Sequence, residues 1–326
     1  MHSLIKRMKR LNIAAIVLSC IAIGSSIFIY ATQKEQPEEV HQKAIMAGYH
    51  VYAPPLPDSY TLFGEKVPLD TYYVRESLDR ELISNMYLQS KMVLWLKRAN
   101  RYFPEIERIL KEEGVPEDFK YLCVAESGLE NVTSPAKASG FWQFMEATGK
   151  SYGLEINGEI DMRWNLEQST HAACKYLKNA YRRFGNWTAA AASYNCGEGG
   201  LESRMKKQDA DSYYHTRLNT ETTRYVYRIM AIKMIMQQPQ KFGYQLRQRD
   251  LYPAIDCTTV ELKGMNVDLY QWAKANGISY KMLRELNPWL QTDKLVNKSN
   301  KTYEVKIPTR EGRGARCSGN ELLKGF

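Results

Sequence analysis

The residue best suited to acid–base chemistry is a glutamate in a short predicted helix between Pro116 and Gly128. One face of this helix is an apolar stripe. Glu126 lies three and four residues after the last two apolar residues of that stripe, so its side chain is on the same face. A buried carboxylate is costly unless it is paired or transfers protons, and the negative end of the helix dipole favours its protonated form. A neutral glutamic acid can act as a general acid. The helix alone leaves two alternatives open: a general acid, or a buried ion pair with an arginine.

Two further segments carry side chains suited to a sugar ligand. Residues 140–145 form an aromatic turn that begins with glycine and contains one amide, Gly-Phe-Trp-Gln-Phe-Met, and residues 193–197 end a helix with Ser-Tyr-Asn-Cys-Gly. Each segment is weak evidence alone, because Phe141 and Trp142 are more often core residues than ligand platforms. Together with one acid, they suggest a cleft for a polar polymer of rings, with amides that contact acetamido groups.

The order of four motifs is more specific than any one of them. The motifs are Glu126-Ser127, the segments 140–145 and 193–197, and Tyr225-Val226. In this order they resemble the motifs of the lytic transglycosylases, family 23 of the glycoside hydrolases, which have a lysozyme-like, soluble-lytic-transglycosylase domain. The resemblance covers residues 116–244, and residues 255–309 resemble a LysM module.

The resemblance implies roles for individual residues. Glu126 matches the sole catalytic acid and base of the family, and Tyr225 matches a tyrosine that orients it. The other matched residues line the cleft or contact the sugar in the family, and they are Ser134, Gly140, Gln143, Met145, Tyr194 and Asn195.

The sequence departs from the family pattern at several positions. Ser193 and Cys196 replace the usual alanines, and both are small. Lys137 replaces a common glycine, which leaves the geometry of its loop open. In the LysM-like module, residues 264–266 are Gly-Met-Asn instead of Gly-Asp-Thr, so sugar binding and a purely scaffolding role are both open.

Counting carboxylates favours a non-hydrolytic mechanism. Ordinary glycosidases use two carboxylates roughly 5–10 Å apart. The other acidic residues near the motifs are expected on the solvated surface, with Asp161 also placed to pair with Arg163; they are Glu130, Glu146, Glu155, Glu159 and Asp161. The hypothesis is therefore cleavage of the MurNAc-β-1,4-GlcNAc bond of peptidoglycan to a 1,6-anhydro-MurNAc end, with Glu126 as acid and then base, and with no cofactor or metal. The alternatives are a hydrolytic muramidase with the same fold and an inactive peptidoglycan-binding scaffold.

The expected fold is mainly α: a lysozyme-like helical domain plus a small β-α-α-β LysM-like module. Helices are expected near 72–99, 105–113, 165–184, 187–194 and 221–237, and strands at 257–262 and 302–307. The expected organisation is a basic segment 1–10, a membrane anchor or signal 11–33, a stalk 34–70, packing helices 71–115, the transglycosylase domain 116–246, the module 255–309 and a loose tail 310–326.

The N-terminus predicts a location in the cell envelope. Residues 11–33 carry no charge, are mostly apolar and can span a bilayer. Because the basic cluster precedes them, the positive-inside rule places the rest of the chain on the periplasmic side. A cleaved signal peptide or a lipoprotein signal (Val-Leu-Ser-Cys at 17–20) is the alternative. The net charge of +9 includes four basic residues in this cluster, and no other basic run indicates nucleic-acid binding.

Six cysteines show no C-x-x-C spacing, so neither a zinc site nor a thioredoxin-like motif is indicated. Cys257 and Cys317 are placed so that a disulfide across the C-terminal region is conceivable, but the sequence does not decide it.

Overall fold

The computed structural model describes residues 8, 18, 19, 21, 23, 37–47, 51–313 and 317–326. The predicted membrane segment 11–33 and basic segment 1–10 therefore lie almost entirely outside the described residues. Within the described residues, no helix has both the length and the apolar character needed to cross a membrane. These residues form two compact units. The first contains helix α1 (Pro37–Met46), and the second comprises residues 51–319 and 323–326.

The second unit begins with helical structure that confirms a mainly α fold. Its helices before residue 250 are α2 (Tyr72–Met86), α3 (Gln89–Glu112), α4 (Phe119–Ser127), α5 (Glu146–Ser151), α6 (Leu166–Phe184), α7 (Trp187–Cys196), α8 (Glu198–Gln208) and α9 (Thr220–Gln237). Short 3-10 turns lie at Met162–Trp164, Tyr213–His215, Pro239–Phe242 and Gln248–Asp250. Helix α8 was not predicted, because its first residues include Gly199 and Gly200, which usually indicate a loop.

Asparagine caps explain where several of these helices begin. The side chain of Asn165 accepts a hydrogen bond from the backbone N–H of Gln168, as the sequence predicted for α6. Asn186 and Asn219 cap α7 and α9 in the same way. Helix α6 ends at Gly185, whose φ of 75° is in the left-handed region that glycine adopts at little cost.

Helix α3 corrects one prediction, because it runs through Pro104 without a break. The sequence analysis ended one helix near residue 99 and began another near 105. The buried stripe of α3 continues on both sides of the proline, from Ala99 through Phe103 to Ile106. Burial of this stripe offsets the cost of a proline in a helix interior, about 3 kcal/mol.

The predicted stalk is also corrected for residues 60–69, which belong to the helical core. Strands β1 (Tyr60–Leu62) and β2 (Glu65–Val67) form an antiparallel hairpin, and the side chains of Leu62 and Val67 are buried. The Glu65 carboxylate accepts hydrogen bonds from Trp187 N (2.5 Å) and Thr188 N (2.9 Å) at the start of α7. The hairpin therefore supplies a second cap, in addition to Asn186, for a helix that lies more than a hundred residues later.

Helix α9 is at the centre of the helical core. It packs against α2, α4 and α7, and most of its residues are buried. The four alanines at positions 189–192 of α7 are fully buried, which lets neighbouring helices approach closely as predicted. This packing brings the ends of α4 and α7 close to one face of α9.

Residues 257–308 form the predicted β-α-α-β module. Strands β3 (Cys257–Leu262) and β6 (Tyr303–Pro308) are antiparallel, and α10 (Leu269–Ala275) and α11 (Tyr280–Leu286) connect them. A small pair, β4 (Val267–Asp268) and β5 (Lys294–Leu295), was not predicted. The module has its own apolar core, and Ile160 of the helical domain is part of that core.

The C-terminal tail is not loose throughout, which corrects another prediction. Leu323 is buried in the helical core, and the Tyr121 hydroxyl donates a 2.7 Å hydrogen bond to the carbonyl oxygen of Phe326. The conceivable disulfide is not formed, because Cys257 and Cys317 are both free thiols.

Candidate active site

Glu126 lies in the last turn of α4, just before the helix ends. Gly128 ends the helix with a φ of 63°, and its N–H donates to the Val124 carbonyl at 2.8 Å. A Cβ at Gly128 would lie 2.3 Å from Nε1 of Trp95, so both the backbone conformation and the available space require glycine. This tight ending places the half-buried Glu126 side chain at the edge of the core.

The carboxyl group of Glu126 accepts a hydrogen bond from the hydroxyl of Tyr225 on α9. Burial raises the pKa of Glu126 from 4.5 to about 7. The Tyr225 hydrogen bond and the positive charge of Arg228 oppose this rise, and the negative charge of Glu221 adds to it. Within residues 51–313, no lysine or arginine forms an ion pair with Glu126. Among these residues, the buried ion pair that the sequence left open for Glu126 is therefore not formed.

Helix α9, which carries Tyr225, is fixed to α2 by a buried carboxylate. Glu81 is fully buried and lies 2.6 Å from Nε of Arg224 and 3.9 Å from Nε of Arg228. A buried carboxylate that lost these partners would be strongly destabilising. The charge pairing therefore fixes the position of the helix, and with it the Tyr225 hydroxyl.

Tyr194 and Asn195 connect α7 to the rest of the site. The hydroxyl of Tyr194 donates to the carbonyl oxygen of Trp142 at 2.8 Å, and Oδ1 of Asn195 accepts from Oγ1 of Thr222 at 2.9 Å. Burial raises the pKa of Tyr194, and the nearby negative charge of Glu126 raises it further. Tyr194 therefore stays a neutral hydrogen-bond donor beside the acid.

The segment 132–145, called here the Gln143 loop, contains three residues in the left-handed region: Lys137, Gly140 and Gln143. Nε2 of Gln143 donates to the carbonyl oxygens of Val132 (2.9 Å) and Gly140 (2.8 Å), and Gln143 has a φ of 50°. Gly140 has a φ of 82°, and a Cβ there would lie 1.8 Å from the carbonyl oxygen of Arg163. The amide donor of Gln143 thus holds the loop together.

The remaining predicted residues of this loop differ in exposure. Met145 is 45% exposed and directly precedes α5, whereas Ser134 Oγ accepts a hydrogen bond from Ala138 N at 3.1 Å. Lys137, which departs from the family pattern, has a φ of 67°, a conformation that suits the glycine usual there. Trp142 is fully buried, so it is a core residue and not a sugar platform.

The other acidic residues near the motifs all have structural partners. Asp161 pairs with Arg163 as predicted, but it is buried and not on the solvated surface. The partners of the remaining four are Arg98 for Glu130, Lys150 for Glu146, Lys301 for Glu155, and the backbone N–H groups of Val296 and Asn297 for Glu159.

Sequence reasoning missed the charged residues that adjust the acidity of Glu126. Glu221 and Arg228 lie four residues before and three residues after Tyr225, so they share its helical face. They also pair with each other, with Oε1 of Glu221 3.0 Å from Nη1 of Arg228. The helical spacing around Tyr225 was the signal that would have identified them.

Comparison with known families agrees with this architecture. Residues 103–216 match the family described as Transglycosylase SLT domain. Residues 258–311 match the Soluble lytic transglycosylase C-terminal LysM-like domain. The chain therefore contains a lysozyme-like SLT transglycosylase domain followed by a LysM-like domain.

Among individual proteins, the chain is similar to membrane-bound lytic murein transglycosylase D of Escherichia coli (strain K12). The identity is 29% over 220 residues, which cover 66% of this chain and 47% of the relative. The same protein of Escherichia coli O6:H1 matches equally. A relative from Alteromonas sp. (strain M-1), named for tributyltin chloride resistance, is 31% identical over 111 residues, 33% of this chain and 54% of that protein. The chain thus spans about half the length of the curated relatives it matches.

Proposed function

We propose that this protein is a peptidoglycan lytic transglycosylase that cleaves the MurNAc-β-1,4-GlcNAc bond without water. Glu126 is proposed as the single catalytic acid and base. The observation that carries the proposal is the carboxyl group of Glu126, which has a pKa of about 7 and accepts a hydrogen bond from Tyr225. Such a group is partly protonated at neutral pH, so it can first donate a proton and then accept one.

The proposed reaction has two proton transfers. Glu126 protonates the glycosidic oxygen as the bond from that oxygen to C1 of MurNAc breaks, and the N-acetyl group of the substrate supports the positive charge at C1. The Glu126 carboxylate then removes the proton from the C6 hydroxyl, and O6 bonds to C1 to close the 1,6-anhydro ring. The products weigh the same in total as the substrate, because no water is consumed.

The other site residues are proposed to bind the glycan around this acid. The proposed sugar-side positions are Ser134, Gly140, Gln143, Met145 and Asn195, and Met145 is the only exposed residue among these five. Tyr225 is proposed to orient the acid, since its hydroxyl contacts the carboxyl group directly. Tyr194 supports the Gln143 loop through the Trp142 carbonyl and stays neutral.

Mass spectrometry of digested, purified peptidoglycan tests the proposal. We expect anhydro products, which weigh one water less than hydrolytic products. Products with reducing ends alone would identify a hydrolytic muramidase with the same glutamate. Binding to purified sacculi without any turnover would identify a scaffold. Glu126→Gln serves as the control, because it removes the titrating group and should keep the binding surface.

The proposed location is the periplasmic side of the cell envelope, where peptidoglycan is found. The uncharged segment 11–33 supports attachment to the membrane, either as a retained anchor or through a lipid on Cys20. N-terminal analysis of the purified protein from membranes distinguishes these, since a lipoprotein would begin at a modified Cys20 and a retained anchor would keep residues 1–10.

A further inference from the structure

The segment 155–163, called here the bridging segment, lies between the LysM-like module and the helical domain. Ile160 is almost fully buried in the apolar core of the module. Both carboxylate oxygens of Glu159 accept backbone hydrogen bonds from the module, at 2.8 Å from Val296 N and 3.2 Å from Asn297 N. The module therefore holds this segment by apolar burial and by hydrogen bonds to a charged acceptor, which are the stronger kind.

Arg163 reaches from the bridging segment to the Gln143 loop. Its Nη1 donates to the carbonyl oxygens of Lys137 (3.2 Å) and Phe144 (3.1 Å). The carboxylate of Asp161 binds Nη2 (2.6 Å) and Nε (2.9 Å) of the same guanidinium. The backbone N–H of Asp161 in turn donates to the carbonyl oxygen of Trp289 in the module, at 2.9 Å. Asp161 and Arg163 are only 7% and 8% exposed, so these bonds are shielded from water.

The Gln143 loop needs such support because its backbone is unfavourable. Lys137 (φ 67°) and Gln143 (φ 50°) are non-glycine residues in the left-handed region, which costs roughly 1–2 kcal/mol per residue. Arg163 contributes one hydrogen bond at Lys137 and one immediately after Gln143, at Phe144. Its own carbonyl oxygen also occupies the space beside Gly140. Both ends of the strained stretch are thus held by one side chain.

We propose that Asp161 and Arg163 are positioning residues for glycan cleavage, and that the LysM-like module acts through them as a structural part of the active site. The chain of contacts runs from the module to Glu159 and Asp161, then to Arg163, and then to the Gln143 loop. This inference rests on the proposed function, since the loop carries the proposed sugar-side residues. A displacement of 1 Å in a positioning element can lower a rate by about 100-fold.

The test uses the full chain with Arg163→Lys, which keeps the positive charge but cannot hold Asp161 and two carbonyl oxygens in one plane. We expect kcat on purified peptidoglycan to fall about 10- to 100-fold, with the pH dependence from Glu126 unchanged. We also expect millimolar guanidinium to restore part of the activity of Arg163→Ala, which a general loss of stability would not allow. Activity within twofold of the unmodified protein for folded Arg163→Lys would overturn the proposal.

The contribution of the module is tested by a double-mutant cycle with Glu159→Gln. If the module acts through Arg163, the two substitutions together lower kcat by less than the product of their separate effects. Effects on kcat that simply multiply would contradict a route from the module through Arg163.

Hydrogen exchange supplies a readout independent of activity. Glu159→Gln should speed exchange of the Ser139 and Gly140 N–H groups, and unchanged exchange would also contradict this route. Lys263→Ala, an exposed change in the module, is the control and should alter neither measurement.

The same experiment separates the two proposals. If the unmodified chain releases no anhydro product, the proposed function fails whatever the variants do. If the unmodified chain releases anhydro product and the Arg163 and Glu159 variants match it, the proposed function stands and only the positioning role fails.

Discussion

The hydroxyl of Tyr225 donates a hydrogen bond to Oε1 of Glu126, across 99 positions of sequence. Helix α9 therefore controls both the orientation and the acidity of the carboxyl group at the end of α4. Burial raises the pKa of Glu126 to about 7, and the hydrogen bond keeps it from rising further.

Tyr225→Phe should move the pH profile upward and lower the rate. Without the donor, the pKa of Glu126 rises above about 7, so its protonated form persists to higher pH. The alkaline fall of kcat/KM should therefore occur at higher pH, and the maximal kcat should drop about 10- to 100-fold because the carboxyl group loses its orientation. Tyr227→Phe, on the same helix but packed against Tyr213 and Tyr214, is the control. An unshifted profile for Tyr225→Phe would contradict the assigned hydrogen bond.

Glu221→Gln should change the pH profile but not the products. The negative charge of Glu221 raises the pKa of Glu126, so its removal lowers that pKa and shifts the alkaline limb of kcat/KM to lower pH. Arg228→Gln should shift the same limb in the opposite direction. Mass spectrometry should still find anhydro ends for both variants. A different result would identify Glu221 as a second catalytic carboxylate: the unmodified protein makes hydrolytic products with reducing ends, and Glu221→Gln abolishes them.

Glu126→Gln should stabilise the folded protein most at alkaline pH. The pKa of Glu126 is about 7 when folded and near 4.5 when exposed, so the folded protein holds the proton more tightly. The stabilisation by the acid form is complete below about pH 4.5 and is lost as the pH rises through about 7. Ionisation at pH 8 then costs up to roughly 3 kcal/mol. Urea unfolding should show a larger gain for the variant at pH 8 than at pH 5, and equal gains at both would refute this account.

Gly140→Ala should impair both stability and activity. A Cβ at this position would lie 1.8 Å from the carbonyl oxygen of Arg163, and the φ of 82° is strained for alanine. The backbone must shift, so we expect a loss of unfolding free energy of at least about 1 kcal/mol and a lower kcat. Gly158→Ala is a matched control in the bridging segment, because a Cβ there meets no atom within 4 Å and the φ is not positive. Equal melting temperatures for the two variants would contradict the expected clash.

Local features of the chain were the ones that sequence reasoning predicted well. Asn165 caps the start of α6, and Gly185 ends the same helix. Each acts on backbone groups within one helical turn, so the local sequence is enough to predict both ends. The β-α-α-β module was also predicted because its strands and helices follow regular local periods.

The errors came from long-range burial. Local propensity places a break at Pro104 and a stalk at residues 60–69, but burial of α3 and of Leu62 outweighs that propensity. The pairing of Glu81 with Arg224 joins residues 143 positions apart, and no local pattern indicates it. The sequence motifs also paired Glu126 with Tyr225, and the two side chains are hydrogen-bonded in the structure. Helical spacing places Glu221 and Arg228 on the face of Tyr225, but only the packing of α9 brings that face close to Glu126.

The Glu65 cap on α7 shows which part of the chain must be transferred together for the helical domain to fold. The recognised SLT segment begins at residue 103, yet the carboxylate that completes α7, the helix bearing Tyr194 and Asn195, is 38 positions upstream of that boundary. A recombination event that transferred only the recognised segment would leave bare N–H groups at Trp187 and Thr188 and an uncovered apolar face on α4, where Phe63 stacks on Phe119. Gene fusions that preserve a folded SLT domain should therefore also carry the hairpin, even where the sequence of the hairpin has diverged.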